Sequence, residues 1–192
     1  MNADHLLTLL ESYRVRHPDE IGMVDRVLSL LRAHADAYDR TCVPGHITGS
    51  AWITSPDGAH CVLLHHRKLG RWLQPGGHSD GDPRTERVAE REAREETGLE
   101  SLRRVDPGDR LAIFDVDVHA IPARGDEPAH EHHDIRFLFL ADPGEAPVCS
   151  EESHELRWLP VAELPEHTDE ESVLRLARKA RALLDEGVAQ HG

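Results

Sequence analysis

The sequence has few cysteines, few aromatic residues and few basic residues. Only three of the 192 residues are cysteine, and none lies in a Cys-x-x-Cys pair. An odd, unpaired set argues against a disulfide framework or a structural zinc site, and it is typical of a reducing cytoplasm. With 3 Trp, 2 Tyr and 3 Phe, the core is expected to rely on aliphatic side chains.

Negative charge and the lack of a long apolar run exclude further classes. Lys and Arg total 22 against 36 Asp and Glu, a formal net charge of −14. This balance argues against binding a nucleic-acid polymer or an anionic membrane. No run approaches the ~18 apolar residues of a membrane span, and no basic segment precedes an apolar one, so we expect no secretory signal. A small anionic substrate is still compatible with this negative charge if cations accompany the substrate.

Hydrophobic spacing predicts a mixed α/β chain. Apolar residues at helical spacing between positions 6 and 37, interrupted at 17–19, predict two N-terminal helices. Further helices are predicted at about 83–97 and 169–186. Alternation and turn residues predict strands at 47–54, 61–65, 72–74, 111–119, 134–140 and 156–159. A polar, histidine-rich loop is expected between the fourth and fifth of these strands.

The helix over 83–97 carries three carboxylates on one face. Glu92, Glu95 and Glu96 stand at i, i+3 and i+4, where like charges repel by a few tenths of a kcal/mol per pair, about as much as opposite charges attract. A divalent cation that prefers oxygen ligands, Mg²⁺ or Mn²⁺, would relieve that repulsion. A solvated helix with ordinary Glu–Arg pairs is the plain alternative, and the Gly-Gly loop at a fixed distance ahead argues against it.

Together, the loop and helix resemble the Nudix signature, Gly-x5-Glu-x7-Arg-Glu-U-x-Glu-Glu-x-Gly-U, in which U is a bulky aliphatic residue. Seven of its nine positions match, namely Gly77, Arg91, Glu92, Glu95, Glu96, Gly98 and Leu99. Pro83 stands in place of the first Glu, and Ala93 in place of the first aliphatic residue. The resemblance implies an α/β fold, a Nudix-type α/β/α sandwich with a mixed sheet. Residues 1–40 are expected as a helical extension and 41–192 as the Nudix domain.

The same resemblance implies a metal-dependent hydrolase that cleaves a diphosphate linkage. Its implied substrate is a small anionic molecule, a nucleoside diphosphate derivative or a nucleoside triphosphate. The implied ligands of Mg²⁺ or Mn²⁺ are Glu92, Glu95, Glu96 and the backbone carbonyl of Gly76. Arg91 would orient the carboxylates through charge-assisted hydrogen bonds, and Glu92 would orient the attacking water or take its proton. The carboxylate missing at Pro83 would be replaced by Asp80, Asp82 or Glu86.

Contacts to the substrate are expected outside the carboxylate cluster. His78 lies in the Gly-Gly loop, Arg67 and Arg71 lie between the second and third strands, and Glu152 (or its neighbour Glu151) is a candidate base. His130 and His132 would point the same way if extended, toward a second metal or a phosphate. Their composition favours a solvated loop instead.

Two other functions stay open at this point. An isopentenyl-diphosphate isomerase would share the fold, but Cys42 and Cys61 lack the context of its catalytic cysteine. A non-catalytic binding or regulatory module would usually have lost the carboxylates that this chain keeps. The N-terminal helices are expected either to cover the substrate pocket or to form a homodimer interface.

Overall fold

A computed structural model describes residues 3–67, 69–106, 111–148 and 153–189. Its main helices are α1 (Ala3–Arg16), α2 (Ile21–Ala33), α3 (Thr85–Thr97), α4 (Leu164–His167) and α5 (Glu171–Ala189), with 3₁₀ turns at Pro18–Glu20 and Val161–Glu163. Its strands are β1 (Gly45–Thr54), β2 (His60–His66), β3 (Arg71–Leu73), β4 (Gly76–His78), β5 (Arg103–Arg104), β6 (Asp115–Ile121), β7 (His130–Leu140) and β8 (Ser153–Pro160). No helix in the described ranges is both long and apolar enough to span a bilayer.

Strand pairing gives a mixed sheet. Hydrogen bonds link the strands in the order β3-β2-β1-β7-β5, with β4 also paired to β1, β6 to β7 and β8 to β2. The amide of Glu131 donates to the carbonyl of Pro44, and the amide of Ala141 donates to that of Thr54. From the first of these bonds to the second, the residue numbers rise on both strands, so β1 and β7 run parallel. Strand β2 pairs antiparallel with β1, β3 and β8.

The chain forms two compact units, which share β1, β7 and α3 between them. The first unit comprises residues 1–50, 76–90 and 106–137. In it, α2 lies against β6 and β7, since Arg26 donates to the carboxylate of Glu131 at 2.6 Å and contacts the carbonyl of Val118. The buried residues Val24 and Val27 give α2 its apolar face. The N-terminal helices therefore pack on strands of their own unit.

Residues 51–75, 91–105 and 138–192 make up the second unit. Its core includes Val62 and Leu63 from β2 and Val173 and Leu176 from α5, all fully buried. These α5 residues stand at i and i+3, so the helix packs an apolar stripe against its unit's core.

Differences from the predicted elements concentrate at element ends. Helix α3 begins at Thr85 rather than near residue 83, and β6 begins at Asp115 rather than 111. The short strands β4 and β5 were missed, because two or three residues carry no readable alternation. The difference with the greatest consequence concerns β7, which begins at His130, four residues before the predicted start. The histidine-rich stretch is therefore a strand and not a loop.

Candidate functional site

Helix α3 begins with its first turn held close to β1. Pro83 precedes the helix, and the carboxylate of Asp82 accepts a hydrogen bond from the amide of Arg84 at 2.8 Å. A Cβ atom on Gly49 would lie 2.8 Å from the carbonyl oxygen of Thr85 and 3.1 Å from Val88. Glycine at position 49 is thus what lets the helix start approach the strand. Asp82 still satisfies an amide at the helix start, although Pro83 is not a helical residue.

The first glycine of the Gly-Gly loop is required by close strand pairing. In β4, Gly76 lies opposite Ser50 of β1, and Gly77 lies opposite Gly49. A Cβ atom on Gly76 would lie 2.8 Å from Cα of Ser50 and 3.0 Å from the carbonyl oxygen of Gly49. Those obstacles are backbone atoms, which cannot rotate away. The local reason for Gly76 is therefore steric, whatever its carbonyl binds.

Substitution of Gly76 by alanine is expected to destabilise the protein by about 1–3 kcal/mol, because β4 must move away from β1 to make room. Gly22 is the matched control, because it lies in α2 and a Cβ atom added there would meet no atom within 4 Å. At that position, alanine should be neutral or stabilising by about 0.5–1 kcal/mol. Urea unfolding of both variants checks this, and equal stabilities for the two would disprove the steric explanation.

The loop after β4 is fixed by the segment that follows α2. Asp80 adopts a left-handed conformation, with φ of 49°, which Asp tolerates better than most residues. Arg40 donates two hydrogen bonds to its carboxylate, at 2.7 and 2.6 Å. The amide of Gly81 donates to the carbonyl of Tyr38. Residues just after α2 thus set the shape of the loop that leads into α3.

The three signature carboxylates lie in the second unit on one face of α3, but their burial differs. Glu92 is half-buried, Glu95 is exposed, and Glu96 is 8% exposed. Arg91 donates to the Glu92 carboxylate at 2.6 Å. In the described ranges, two groups of three ligating side chains converge within 4.8 Å, and neither of them contains these glutamates. Side-chain rotation would be needed for all three to bind one ion.

Of the three acids considered as replacements at Pro83, Glu86 has a distinctive environment. Its side chain is 2% exposed, it accepts a hydrogen bond from Nε of Arg84 at 2.6 Å, and His5 of α1 lies 3.6 Å away. Asp80 is held by Arg40, and Asp82 by the start of α3. All three acids thus have partners of their own, and which of them replaces the carboxylate missing at Pro83 stays a prediction.

The expected substrate contacts fall in different parts of the chain. His78 is at the end of β4 in the first unit, among other histidines. Arg67 and Arg71 belong to the second unit at the β2–β3 turn, where Arg67 is exposed and Arg71 forms an ion pair with Glu170. Glu152 and Glu151 lie outside the described residues, so the structure does not place the candidate base.

A histidine cluster in the first unit was only partly anticipated. The rings of His46, His130 and His132 form a triangle with centroid separations of 4.8–5.2 Å. His78 lies 5.1 Å from His46, and His119 lies 5.5 Å from His132. We call these five residues the histidine cluster. His46 was missed because it is a single histidine at the start of β1, with no local pattern around it.

Strand register explains why the histidine cluster forms. His130 and His132 are two residues apart on β7, so their side chains share one face. His119 of β6 lies directly opposite His132, and His78 of β4 lies opposite Thr48, two residues from His46 on β1. Neighbouring strands therefore project imidazoles from the same face of the sheet.

Burial keeps the central imidazoles neutral. It is the largest cause that lowers the pKa of His46 to about 4, with the neighbouring His78 and His130 adding to it. Burial is also the main reason that the pKa of His132 falls to about 2, helped by His46 and His119. Around pH 7 both rings are therefore unprotonated and offer a lone pair.

A buried ionic network continues the same face beyond the histidine cluster. Arg136 of β7 is 2% exposed and donates to Asp134 at 2.8 Å, to Asp115 at 3.1 Å and to Asp117 at 3.2 Å. Ser50 also donates to Asp134, at 2.7 Å. Burial alone would lower the pKa of Arg136, but the three carboxylates outweigh it and raise that pKa. One buried guanidinium thus pairs with three carboxylates.

Together these features define an α/β fold with a mixed sheet, a Gly-Gly loop and a helix that presents three glutamates. The family model described as NUDIX domain matches residues 45–179, and the chain belongs to this family. No curated protein matches the chain. The expected family and fold class are confirmed, and membership supports the expectation of a Nudix pyrophosphohydrolase.

Solved structures show the same fold. An Ap4A hydrolase from C. elegans has a TM-score of 0.57 at 19% identity, covering 73% of this chain and 98% of that one. A NUDIX-family hydrolase from Clostridium perfringens has a TM-score of 0.55 at 20% identity, covering 73% and 96%. A Nudix hydrolase from M. smegmatis has a TM-score of 0.50 at 21% identity, covering 76% and 86%. At these identities, the likeness concerns the fold.

Proposed function

We propose that this protein is a Mg²⁺- or Mn²⁺-dependent pyrophosphohydrolase that cleaves a diphosphate linkage in a small molecule. A nucleoside diphosphate derivative or a nucleoside triphosphate is the substrate class. The main support for this proposal is that a chain of the Nudix family has Glu92, Glu95 and Glu96 on one face of α3. One solved relative in fold is a hydrolase of Ap4A, a small molecule of this class.

The residues present fit a hard divalent cation. Carboxylate oxygens are the ligands that Mg²⁺ and Mn²⁺ prefer, and the exposed Glu95 gives an incoming ion access to the helix face. When bound, such an ion neutralises diphosphate oxygens and lowers the pKa of a coordinated water. Glu92, Glu95 and Glu96 would hold it. The carbonyl of Gly76 is added as a ligand on the strength of the family signature.

Other side chains have proposed roles in positioning and proton transfer. Arg91 holds the Glu92 carboxylate through the 2.6 Å hydrogen bond, so Glu92 is pre-oriented to accept a proton from the attacking water. His78, Arg67 and Arg71 are proposed to bind the anionic substrate, and Glu152 is the alternative base. The described cysteines are buried and free, which supports a cytoplasmic setting.

Removal and return of metal provides the test. The purified, metal-stripped protein would be incubated with nucleoside triphosphates, nucleotide sugars, dinucleoside polyphosphates and isoprenoid diphosphates, and the products identified by mass spectrometry. Turnover of at least one nucleotide compound is expected with Mg²⁺ or Mn²⁺, falling below detection without metal. Each expected product carries a terminal phosphate at the cleaved linkage.

Two outcomes would contradict the proposal. Conversion of an isoprenoid diphosphate to an isomer of equal mass, separated from its substrate by chromatography, would indicate the isomerase. Tight binding of a nucleotide without turnover under any metal condition would indicate a non-catalytic module, and the missing carboxylate at Pro83 would be its first explanation.

A further inference from the structure

The centre of the histidine cluster has the dimensions of a metal site. His46, His130 and His132 each offer a ring nitrogen, and these three atoms lie within 4.8 Å of one another. Tetrahedral Zn²⁺ binds histidine at about 2.0–2.1 Å, which places ligand nitrogens about 3.4 Å apart. Small rotations of the imidazole rings would bring the three nitrogens to that separation. Ring centroids of a tetrahedral three-histidine site lie about 5 Å apart, close to the 4.8–5.2 Å observed here.

Burial of His46 leaves its polar atoms weakly compensated. The residue is 1% exposed, and the backbone of Cys42 lies close enough to raise its pKa, but neither ring nitrogen makes a hydrogen bond of ordinary geometry with any described residue. A buried polar atom without a partner costs about 1–3 kcal/mol. His130 is 7% exposed, and its Nε2 has no hydrogen-bond partner among the described residues, although the carboxylate of Glu127 lies 3.8 Å away. Coordination of a cation would use these lone pairs.

A neighbouring carbonyl orients one of the three rings as it would around a metal. Nδ1 of His130 is 2.9 Å from the carbonyl of Pro128. The carbonyl can only accept, so Nδ1 is the donor there and Nε2 is the ring nitrogen left for a metal. Backbone carbonyls are among the usual partners of metal-binding histidines.

The ionic network next along the strands favours a cation in the histidine cluster. Asp117 and Asp134 lie opposite each other, two residues along each strand from the pair formed by His119 and His132. Three carboxylates contact the guanidinium of Arg136 there, so carboxylate oxygens are concentrated next to the imidazoles. A dication in the histidine cluster two residues away would be attracted to them.

We propose that His46, His130 and His132 form a binding site for a divalent transition metal, with Zn²⁺ as the ion that this donor set fits. Imidazole ligands suit Zn²⁺, whereas Mg²⁺ prefers oxygen. The site is thus distinct in its chemistry from the carboxylates of α3. It does not depend on the proposed hydrolase function.

Equilibrium metal binding to the untagged, metal-stripped protein tests the site. Zn²⁺ would be titrated calorimetrically, and Co²⁺ would be followed by its visible absorption, in buffer that contains excess Mg²⁺. The variants are His132→Asn, His46→Asn and, as a control, His154→Asn, an exposed histidine of the second unit. Glu95→Gln is included because it changes the carboxylate face and leaves the histidine cluster intact. Circular dichroism would establish that each variant is folded.

Wild type, His154→Asn and Glu95→Gln are expected to bind one equivalent of Zn²⁺ with equal affinity. His132→Asn should weaken that binding by more than about 100-fold, since loss even of a group that only orients a ligand costs 10–100-fold. His132 is only half-buried, so this variant should fold even if His46→Asn does not. Equal affinity in wild type and His132→Asn, or no Zn²⁺ binding by wild type in excess Mg²⁺, would overturn the proposal.

Discussion

Replacement of Glu95 by glutamine is expected to lower metal-dependent turnover by at least about 100-fold. The substitution keeps the shape of the side chain but removes the charge that binds the cation. Loss of a group that merely orients a metal ligand already costs 10–100-fold in affinity or activity, and Glu95 is proposed as a ligand itself. Because its side chain is exposed, the variant should fold normally, and kcat and KM can be measured against Mg²⁺ concentration.

Glu90→Gln is the matched control for this prediction. It makes the same chemical change on the same helix, but residue 90 lies on the side of α3 opposite the three signature glutamates. Turnover should stay within about twofold of wild type. If Glu90→Gln and Glu95→Gln lost activity equally, the effect would be one of general helix charge, and the assignment of Glu95 as a ligand would be wrong.

Replacement of Arg136 by methionine is expected to reduce the free energy of unfolding by about 3–5 kcal/mol. Removing one partner of a buried ion pair leaves an uncompensated buried charge, and here three carboxylates depend on the same guanidinium. For a chain of this size, the loss corresponds to a fall in Tm of about 6–20 °C. Thermal and urea unfolding measure it directly.

An exposed arginine and the pH provide the controls for this second prediction. Arg124→Met makes the same change at an exposed position of the same unit and should alter stability by no more than about 0.5 kcal/mol. The deficit of Arg136→Met should narrow in acid, because protonated carboxylates no longer need the cation. A deficit independent of pH would indicate lost packing rather than lost charge.

The sequence predicts helix α3 and the loop before it best, because the spacing of the signature residues is also the spacing that a helix requires. The i, i+3, i+4 glutamates require a helix, and Gly98 at its end and the turn before it give its approximate limits. The Gly-Gly loop had to precede that helix for the resemblance to hold. The sequence predicts a helix start two residues early because proline suits a first helical turn, whereas here the Asp82–Arg84 hydrogen bond makes a turn around Pro83 and the helix begins at Thr85.

Polar character misled the prediction for β7. Its first half alternates His130, His132, Asp134 and Arg136, which is the period of a strand. Charged and histidine side chains of this kind are usually exposed, so the sequence predicts the strand only from residue 134 and a loop over 130–133. Their burial depends on partners distant in sequence, such as Asp115 of β6. No local pattern indicates which carboxylate pairs with which guanidinium. The sequence therefore predicts neither the ionic network nor the position of His46.

Hydrolysis in ¹⁸O-labelled water tests the central claim most directly. The metal-stripped protein would be mixed with the panel of diphosphate compounds in H₂¹⁸O, with and without Mg²⁺ or Mn²⁺. The masses of all products would then be measured by mass spectrometry. The proposed chemistry predicts one ¹⁸O atom in one phosphorylated product of a nucleotide substrate, only when metal is present. A product without the label, a product formed equally without metal, or an unchanged panel would contradict it.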